Sequence, residues 1–345
     1  MKKIVKIIIS FGLAGWIIWF SIQSLNTKDW QVIEKNLTQI NYFYLLCAAI
    51  LGIIANISRA RRWQYVLKNT DKKNGFVHAY HAVMLSYFVN AALPRVGEMS
   101  RAVAIHRQEN IPIAKAFGTI FAERIIDFLM MGLICLITFL LQINDYQNIM
   151  QNLQRHISEF SNTQNTEPNL FKNIIFISII LIFSVFFLTI ISKASIRKKV
   201  KKKLIDLTLQ FYEGLQMTWS IREKKQYIAH TILMWSLYIL GLYLPFLALP
   251  STSSISLAGV FSLFVFTILG VLIVPGGVGV VPLITALVIG FYLPLPEGEF
   301  LHLDAFVISW LAWLSQTLGT VILGAYSFYR LQNVKMENNL KEISE

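Results

Sequence analysis

Long apolar stretches recur along the whole chain, and they limit its fold more than any other feature. A helix needs about 20 mostly apolar residues to cross the hydrocarbon core of a bilayer. Candidate spans of that kind lie at residues 4–24, 42–58, 116–141, 172–192, 226–248, 255–274 and 303–328. Only 14% of the residues are charged, which is too little polar material to cover the surface of a soluble domain. We therefore predict an all-α, polytopic helical membrane protein, with residues 1–345 forming a single transmembrane domain.

Two shorter apolar stretches, residues 78–93 and 278–293, lie beside helix-breaking residues. Pro94 and Gly97 follow the first, and the glycine-rich run 274–282 overlaps the start of the second. Irregular backbone at membrane depth persists only where protein or a water-filled cavity surrounds it. Both stretches are predicted to be membrane segments, either as re-entrant or broken elements or as full spans, which gives about seven to nine segments in all. Matched interruptions in two halves are typical of transporters built from inverted repeats, so we predict such a repeat here.

The loops between the spans differ in charge. Residues 59–77 carry six Lys or Arg against one Asp, and residues 193–227 carry ten against three acids, whereas residues 142–171 carry one Arg against three acids. Because cytoplasmic loops are enriched in Lys and Arg, we expect the first two loops inside the cell and the third outside. This orientation requires 78–93 to dip into the membrane and return. It places both termini, including a short tail at 329–345, on the cytoplasmic side of the inner (plasma) membrane.

The basic loop 193–227 contains an amphipathic pattern. After a basic run at 197–203, apolar residues recur at helical spacing, namely Leu204, Leu207, Phe211 and Leu215. A helix of this kind lies on a membrane surface, with its charges against anionic headgroups. The alternative is a solvated charge run that only fixes the topology. Because the net charge of +12 is concentrated in such loops, we expect anionic inner-leaflet lipids as partners and no nucleic acid.

The segment that ends the first short stretch carries charges at helical spacing. If a helix resumes at Arg95, then Arg95, Glu98 and Arg101 step by three and share one face. Two guanidinium groups on one face can hold a phosphate, while the carboxylate orients them or meets a cationic group. The alternative is a solvated loop whose arginines only follow the positive-inside rule.

Glu123, Arg124 and Asp127 lie inside the otherwise apolar span 116–141. Ionisable residues in a membrane usually face the bundle interior or a cavity and pair with one another, which makes them functional candidates. The alternative is a purely structural ion pair between Arg124 and Asp127, which are three residues apart on one helix.

Basic residues and a tryptophan also follow the span 42–58, at Arg59, Arg61, Arg62 and Trp63. An interfacial Trp and Arg side chains that reach for the headgroups are ordinary at such a position. By themselves these residues predict only the end of a span.

No catalytic, metal or cofactor site emerges from the sequence. Cys47 and Cys135 both lie in apolar runs, without a second cysteine or a histidine at metal-ligand spacing. The glycine-rich run lacks the preceding strand that a nucleotide-binding loop requires. His78 and His81 lack a third ligand. We therefore expect no metal, cofactor or disulfide, and a protein that is not an enzyme.

Several of these motifs occur together in a known family. They are, in chain order, Arg59-Ala60-Arg61-Arg62-Trp63, Asn90, Leu93-Pro94-Arg95-Val96-Gly97-Glu98, Arg101, Glu123-Arg124, Asp127 and Pro275-Gly276-Gly277-Val278-Gly279. In this combination the chain resembles the flippase-like membrane proteins related to the transmembrane region of lysylphosphatidylglycerol synthases. The substrate-binding residues that the resemblance implies are Arg59, Arg62, Asn90, Arg95, Glu98, Arg101, Glu123, Arg124, Asp127, Gly276, Gly277 and Gly279. Members of that family often carry an acid shortly after the glycine motif, where this chain has Pro282.

The resemblance implies an inner-membrane protein that moves a lipid between leaflets. The expected substrate is a phospholipid, polar or aminoacylated, or a polyprenyl-linked sugar lipid. The arginines after the first short stretch would hold its phosphate, and the charged residues of the span 116–141 would line the same cavity. The alternative is a non-transporting membrane partner that anchors a glycosyltransferase or an aminoacyl-lipid synthase through the loop 193–227. Expected protein partners are accordingly a second copy of the chain or such a membrane enzyme.

Overall fold

Helices, joined by turns and short connections, make up the described part of the chain. A computed structural model describes residues 15, 27–68, 75–92, 96–142, 220–273, 277–293 and 302–344, and no strand occurs among them. The helices are α1 (Thr27–Gln39), α2 (Tyr42–Leu67), α3 (Phe76–Ala92), α4 (Gly97–Glu109), α5 (Ile113–Gln142), α6 (Lys224–Tyr243), α7 (Leu257–Ile273), α8 (Val280–Ile289) and α9 (Leu303–Ser344). A 3-10 helix, Leu244–Ala248, extends α6. The predicted all-α class is confirmed.

Four helices in the described ranges are long and apolar enough to cross a membrane. They are Tyr42–Leu67, Lys115–Gln142, Lys224–Ala248 and Leu303–Gln332. Their outward faces carry large apolar side chains, as Phe128, Leu133 and Phe139 do on α5. A continuous exposed apolar surface of this kind fits contact with lipid tails rather than water. The predicted spans 42–58, 116–141, 226–248 and 303–328 are thereby confirmed, and the chain is a polytopic membrane protein.

The second span extends further than predicted. Helix α2 does not end near residue 58 but continues to Leu67, so residues 59–67 are helix rather than loop. Arg59, Arg62 and Trp63 are buried there, not interfacial. The predicted end near residue 58 was wrong. In the sequence, Arg59 interrupts the apolar stretch and so suggests the end of the span. In the structure, charged residues on other helices pair with the arginines and allow them to be buried.

Other predicted boundaries also change. The loop 193–227 ends at Glu223, because α6 begins at Lys224. The stretch 255–274 is the 17-residue helix α7, which is short for a full span. The tail 329–345 continues α9 as far as Ser344. The predicted spans 4–24 and 172–192, and the amphipathic pattern at 204–215, lie outside the described residues.

Helices α2 and α6 pack against each other in antiparallel orientation. Lys68, just after α2, forms an ion pair of 2.9 Å with Glu223, just before α6. The hydrogen bond from Lys68 holds the pKa of the Glu223 carboxyl below its ordinary value. At the opposite end, the Asn41 N–H donates to the Ala248 carbonyl at 3.0 Å. We call the side of Lys68 and Glu223 the A side of the bundle, and the side of Asn41 and Ala248 the B side.

Helices α3 and α4 form a hairpin that opens on the A side. The guanidinium of Arg61, near the A-side end of α2, lies 4.0 Å from the ring centre of Phe76, the first residue of α3. Glu109, the last residue of α4, bonds to His78 and to the N–H of Gly75 at the start of α3. Both outer ends of the hairpin therefore lie beside the end of α2.

The closed end of this hairpin is held by Asn90 and Gly97. The side-chain oxygen of Asn90 accepts a hydrogen bond from the Gly97 N–H at 2.8 Å, which satisfies a free donor in the first turn of α4. A Cβ at Gly97 would collide with the carbonyl oxygen of Ser86, so the helices approach this closely only because residue 97 is glycine. The stretch 78–93 does not dip in and return by itself. It lies almost wholly in the uninterrupted helix α3, and α4 makes the return.

Helices α7 and α8 form a second hairpin, which opens on the B side. Helix α5 starts on the A side, where Thr119 bonds to Trp63 of α2, so its last residue, Gln142, lies on the B side. Gln142 donates to the Tyr292 hydroxyl at 3.0 Å and to Ser262. Ser262 is in the second turn of α7 and Tyr292 follows α8, which puts both outer ends of the hairpin on the B side.

The predicted break in the glycine-rich run is confirmed. Helix α7 ends at Ile273 and α8 begins at Val280. Gly277 and Gly279 have φ angles of 68° and 72°, a region that residues with a Cβ adopt only with strain. Both are buried, and Pro282 lies in the first turn of α8, where its missing N–H costs no helical hydrogen bond.

The two hairpins belong to halves with the same contact pattern, α2–α5 and α6–α9. In each half the first long helix packs on the first hairpin helix, the hairpin helices pack together, and the second hairpin helix packs on the closing long helix. In addition, α3 packs on α9 and α7 packs on α5, so each hairpin contacts the closing helix of the other half. Because α2 and α6 are antiparallel and the hairpins open on opposite sides, this is the predicted inverted repeat.

The contact between α3 and α9 depends on a close approach at Gly324. A Cβ there would lie 2.6 Å from the Cβ of Phe88 and 2.8 Å from the Met84 carbonyl oxygen. We expect Gly324→Ala to lower the free energy of unfolding by about 1–3 kcal/mol, because the helices must separate. Gly319→Ala, on the same helix with open space around its Cβ, is expected to be neutral or slightly stabilising. Thermal unfolding in detergent measures both variants, and equal melting temperatures would contradict the close packing.

Candidate functional site

Five charged side chains from three helices meet inside the bundle, in its A-side half. The cations are Arg59 and Arg62 of α2 and Arg101 of α4, and the anions are Glu123 and Asp127 of α5. Residues three or four apart share one face of a helix, so α2 and α5 each direct two of the charges to the same place. We call these five residues the charge cluster.

Glu123 is the centre of the charge cluster, because it contacts all three arginines. Its Oε1 accepts from Nη2 of Arg62 at 2.8 Å and lies 3.3 Å from Nε of Arg59. Its Oε2 accepts from Nη2 of Arg101 at 2.6 Å. The residue has no exposed surface. Helices α2, α4 and α5 are thus joined through one carboxylate.

Asp127, one turn further along α5, completes the ion pairs. It lies 2.7 Å from Nη2 of Arg62 and 3.4 Å from Nη2 of Arg59. The predicted pair with Arg124 is long, at 3.7 Å, and the Arg124 side chain is 42% exposed. Arg124 therefore lies on the outside of α5, beside the charge cluster rather than in it.

Aromatic rings cover the buried arginines. The Arg101 guanidinium lies 3.8 Å from the ring centre of Trp63, whose own N–H donates to the Thr119 hydroxyl at 3.0 Å. The Arg62 guanidinium lies 5.7 Å from the ring centre of Tyr227, on α6. Cations are attracted to the faces of aromatic rings, most strongly in a desolvated site. Trp63, expected at the membrane interface, is instead buried and packs against Arg101 of the charge cluster.

The charge cluster carries one more positive than negative charge. Its buried polar atoms are also incompletely hydrogen-bonded, since Nε and Nη1 of Arg62, Nε of Arg101 and Oδ1 of Asp127 make no hydrogen bond among the described residues, although that oxygen lies 2.7 Å from Nη2 of Arg62. A charge in a low-dielectric interior is costly unless an opposite charge and hydrogen bonds balance it. The arrangement is therefore suited to bind one further anionic group.

The charge cluster is accessible at one edge. The side chains of Arg59 and Asp127 are 10% and 14% exposed, whereas the other three are at most 2% exposed. Nη1 of Arg59 donates to the Tyr87 hydroxyl at 2.7 Å, and that hydroxyl lies 3.4 Å from the Tyr238 hydroxyl. Tyr87 is on α3 and Tyr238 is on α6. We call Arg59, Asp127, Tyr87 and Tyr238 the cluster edge. It lies where the first hairpin contacts helix α6 of the second half.

The structure brings five of the twelve predicted site residues together, Arg59, Arg62, Arg101, Glu123 and Asp127. Asn90 and Gly97 instead close the first hairpin, and Glu98 is half-buried in the first turn of α4. Gly277 and Gly279 form the closed end of the second hairpin. Arg95 and Gly276 lie outside the described residues. The substrate-binding role of all twelve stays a prediction.

Sequence reasoning missed the residues that surround the arginines. The sequence predicts an interfacial position for Trp63, and Thr119, Tyr87 and Tyr238 belong to no motif. Tyr87 and Tyr238 are 151 positions apart in the chain. The signal available was the helical continuation of α2, which places Arg62 and Trp63 three and four residues after Arg59.

The acids and histidines of the described ranges do not form a metal site. No group of three or more His, Cys, Asp or Glu side chains in the part of the chain that the structure describes has a suitable arrangement. Both carboxylates of the charge cluster are bound by arginines. The contacts within the charge cluster are ion pairs and hydrogen bonds.

Comparison with known proteins identifies relatives of this chain. A family model described as lysylphosphatidylglycerol synthase TM region matches residues 4–301. The chain is 22% identical to the UPF0104 membrane protein PH1989 of Pyrococcus horikoshii over 292 residues, which cover 81% of this chain and 84% of that protein. It is 31% identical to the UPF0104 membrane protein MJ1595 of Methanocaldococcus jannaschii over 98 residues. That match spans 28% of this chain and 29% of the relative. No solved structure matches.

Loss of the central carboxylate should destabilise the fold. Glu123→Gln keeps the shape of the side chain but leaves three buried guanidinium groups with one carboxylate. We expect the free energy of unfolding to fall by about 3–5 kcal/mol, the usual cost of breaking a buried ion pair on one side. Arg124→Gln, one residue along the helix and exposed, should change it by less than about 1 kcal/mol. Thermal unfolding in detergent tests both, and an unchanged Glu123→Gln variant would contradict the central role of this carboxylate.

Proposed function

The match over residues 4–301 makes this chain a member of the lysylphosphatidylglycerol synthase TM-region family, and from that premise we propose that it moves a phospholipid or a lipid-linked headgroup between the two leaflets of a membrane. The headgroup binds at the cluster edge, and the lipid tails stay in the bilayer. The family membership, the relatives and the membrane spans support a membrane protein. The transport activity is our inference from the site.

The observation that carries this proposal is the excess positive charge of the charge cluster. Charges inside a membrane protein are expensive and usually mark a substrate or ion pathway. Three arginines against two carboxylates leave one positive charge, and the accessible part of the cluster includes Arg59. A phosphate group supplies the missing negative charge and matches the planar donor pattern of a guanidinium. Every phospholipid headgroup contains such a group.

The inverted repeat supports movement between the leaflets. Hairpin α3–α4 opens on the A side and hairpin α7–α8 opens on the B side. Broken or short elements that enter from opposite sides, related by an inverted repeat, are typical of carriers that open to one side at a time. Anchoring of a separate enzyme requires neither an inverted repeat nor a charged site within it.

We place the protein in the plasma membrane with its A side in the cytoplasm. Residues 68–75, between α2 and α3, carry three Lys against one Asp, and the basic residues 193–203 precede α6, so the charge of these connections favours this orientation. In that orientation the C-terminal end of α9 is cytoplasmic, and we place the N-terminus there as well. The basic residues would contact anionic inner-leaflet lipids.

The proposal treats the protein as a transporter and not as an enzyme. It acts on a phospholipid or a polyprenyl-linked lipid, alone or as a homo-oligomer. Anchoring of a separate membrane enzyme through residues 193–223 is the competing function. The transport assay below separates the two, because an anchor without transport activity would move no lipid in a bilayer that contains no other protein.

Transport should depend on Arg59. We expect liposomes that contain the purified protein to exchange headgroup-labelled anionic phospholipid between leaflets, and Arg59→Gln to slow this exchange about 10- to 100-fold, because a charge-assisted hydrogen bond to phosphate is lost. Arg61→Gln is the matched control. Arg61 lies two residues away on α2, is exposed, and contacts Gln64 and Phe76 rather than the charge cluster.

Two results would count against the proposal. Absence of exchange with every lipid tested, from protein that elutes as a folded species, would favour the anchoring function. Equal loss in the Arg59→Gln and Arg61→Gln variants would indicate a general effect of removing positive charge. Retention of full activity in Arg61→Gln alone assigns the effect to the cluster edge.

A further inference from the structure

The hydroxyl groups of Tyr87 and Tyr238 end a chain of hydrogen bonds that lacks a final acceptor. The Tyr87 oxygen accepts from Arg59 at 2.7 Å, so its own proton must be donated elsewhere. The Tyr238 oxygen lies in that direction, but at 3.4 Å it is at the long limit for such a bond. Whichever of the two hydroxyls donates to the other, one phenolic proton has no acceptor among the described residues. A half-buried phenol normally finds one.

The two hydroxyls lie far along their helices from the A-side end of the bundle. Tyr238 is 14 residues beyond the start of α6, which is about 21 Å along the helix from its A-side end. Tyr87 lies one to two turns from the closed end of the first hairpin. Both residues are half-buried, so they are neither sealed in the core nor at the membrane surface. A group that reaches them must enter the bundle along the cluster edge.

The charge beside these hydroxyls selects the kind of acceptor. Arg59 bridges the tyrosines to a charge cluster with one excess positive charge. An anionic oxygen would accept from Arg59 and both phenols and balance that charge in one step. A neutral carbonyl would satisfy the phenols but leave the charge unbalanced. The donors and the charge together match a phosphoryl oxygen.

We propose that Tyr87 and Tyr238 belong to the headgroup site, where their hydroxyls and the Arg59 guanidinium bind a phosphoryl oxygen. The inference rests on the proposed function and extends it to residues that no sequence motif marks. It makes the site a shared one, because Arg59 and Tyr87 come from the first half and Tyr238 from the second. Any rearrangement that moves α6 relative to α2 and α3 then separates the donors and releases the oxygen.

Ligand-induced stabilisation of the purified full-length chain in detergent tests this inference. Dioctanoyl phosphatidylglycerol is expected to raise the melting temperature in a dose-dependent way, and dioctanoylglycerol, which lacks phosphate, is not. In Tyr238→Phe the half-maximal concentration should rise about 10- to 100-fold, because a hydrogen bond to a charged group is lost. The melting temperature without ligand should stay at the wild-type value, since the hydroxyl makes one long contact.

Tyr243→Phe is the matched control, because Tyr243 lies on the same helix, is also half-buried and packs on the same apolar core as Tyr238, whereas only the Tyr238 hydroxyl, of these two, contacts Tyr87. It should bind like the wild type. Tyr87→Phe is a second variant and should weaken binding as Tyr238→Phe does. Inorganic phosphate, added alone, distinguishes a free anion from a lipid headgroup as the source of the oxygen.

Each outcome decides a different question. Wild-type binding in Tyr238→Phe and Tyr87→Phe would overturn the tyrosine site and leave the proposed function intact. No stabilisation of the wild type by any phosphate compound would overturn both. Stabilisation by inorganic phosphate alone, lost in Tyr238→Phe, would support the oxygen site and overturn the lipid as its ligand.

Discussion

The carboxylate of Glu123 forms ion pairs with three buried guanidinium groups, and the packing of the first half depends on these contacts. Helices α2, α4 and α5 each bring a charged residue that none of them could bury alone, since an isolated charge in a membrane interior costs several kcal/mol. The ion pairs with Arg62 and Arg101 compensate this cost only when all three helices are in place. The charges therefore specify one arrangement of these helices, where apolar packing by itself would permit several.

The inverted repeat packs these three helices of the first half against the second half of the bundle. The contact of α2 with α6 joins the first long helices of the two halves, and each hairpin then packs on the closing helix of the other half. Tyr227 of α6 consequently faces Arg62 of the first half, and Tyr238 of the same helix contacts Tyr87. All five residues of the charge cluster lie in the first half, but a residue of the second half, Tyr227, covers Arg62.

The sequence was sufficient for the fold class, for four of the spans and for the interruptions at Gly97 and at Gly277–Gly279. These features have local causes, namely apolar length and backbone conformations that favour glycine. The end of α2 was not predictable in this way. From hydropathy alone, Arg59 and Arg62 are predicted to be solvated. In the structure, Glu123 and Asp127 on another helix neutralise their charges, so both arginines are buried. The Tyr87–Tyr238 contact has no local cause at all, because it joins distant parts of the chain.

The polar contacts at the two hairpins differ in a way that bears on transport kinetics. The A-side hairpin adjoins five charges, whereas Gln142, Ser262 and Tyr292 at the B-side hairpin are all neutral. A carrier with such unequal sides would have different half-saturation concentrations in its two directions. If no energy source is coupled, the ratio of maximal rate to half-saturation constant must still be equal for both directions. The asymmetry would then determine which leaflet saturates the carrier first, but not how the lipid is finally distributed.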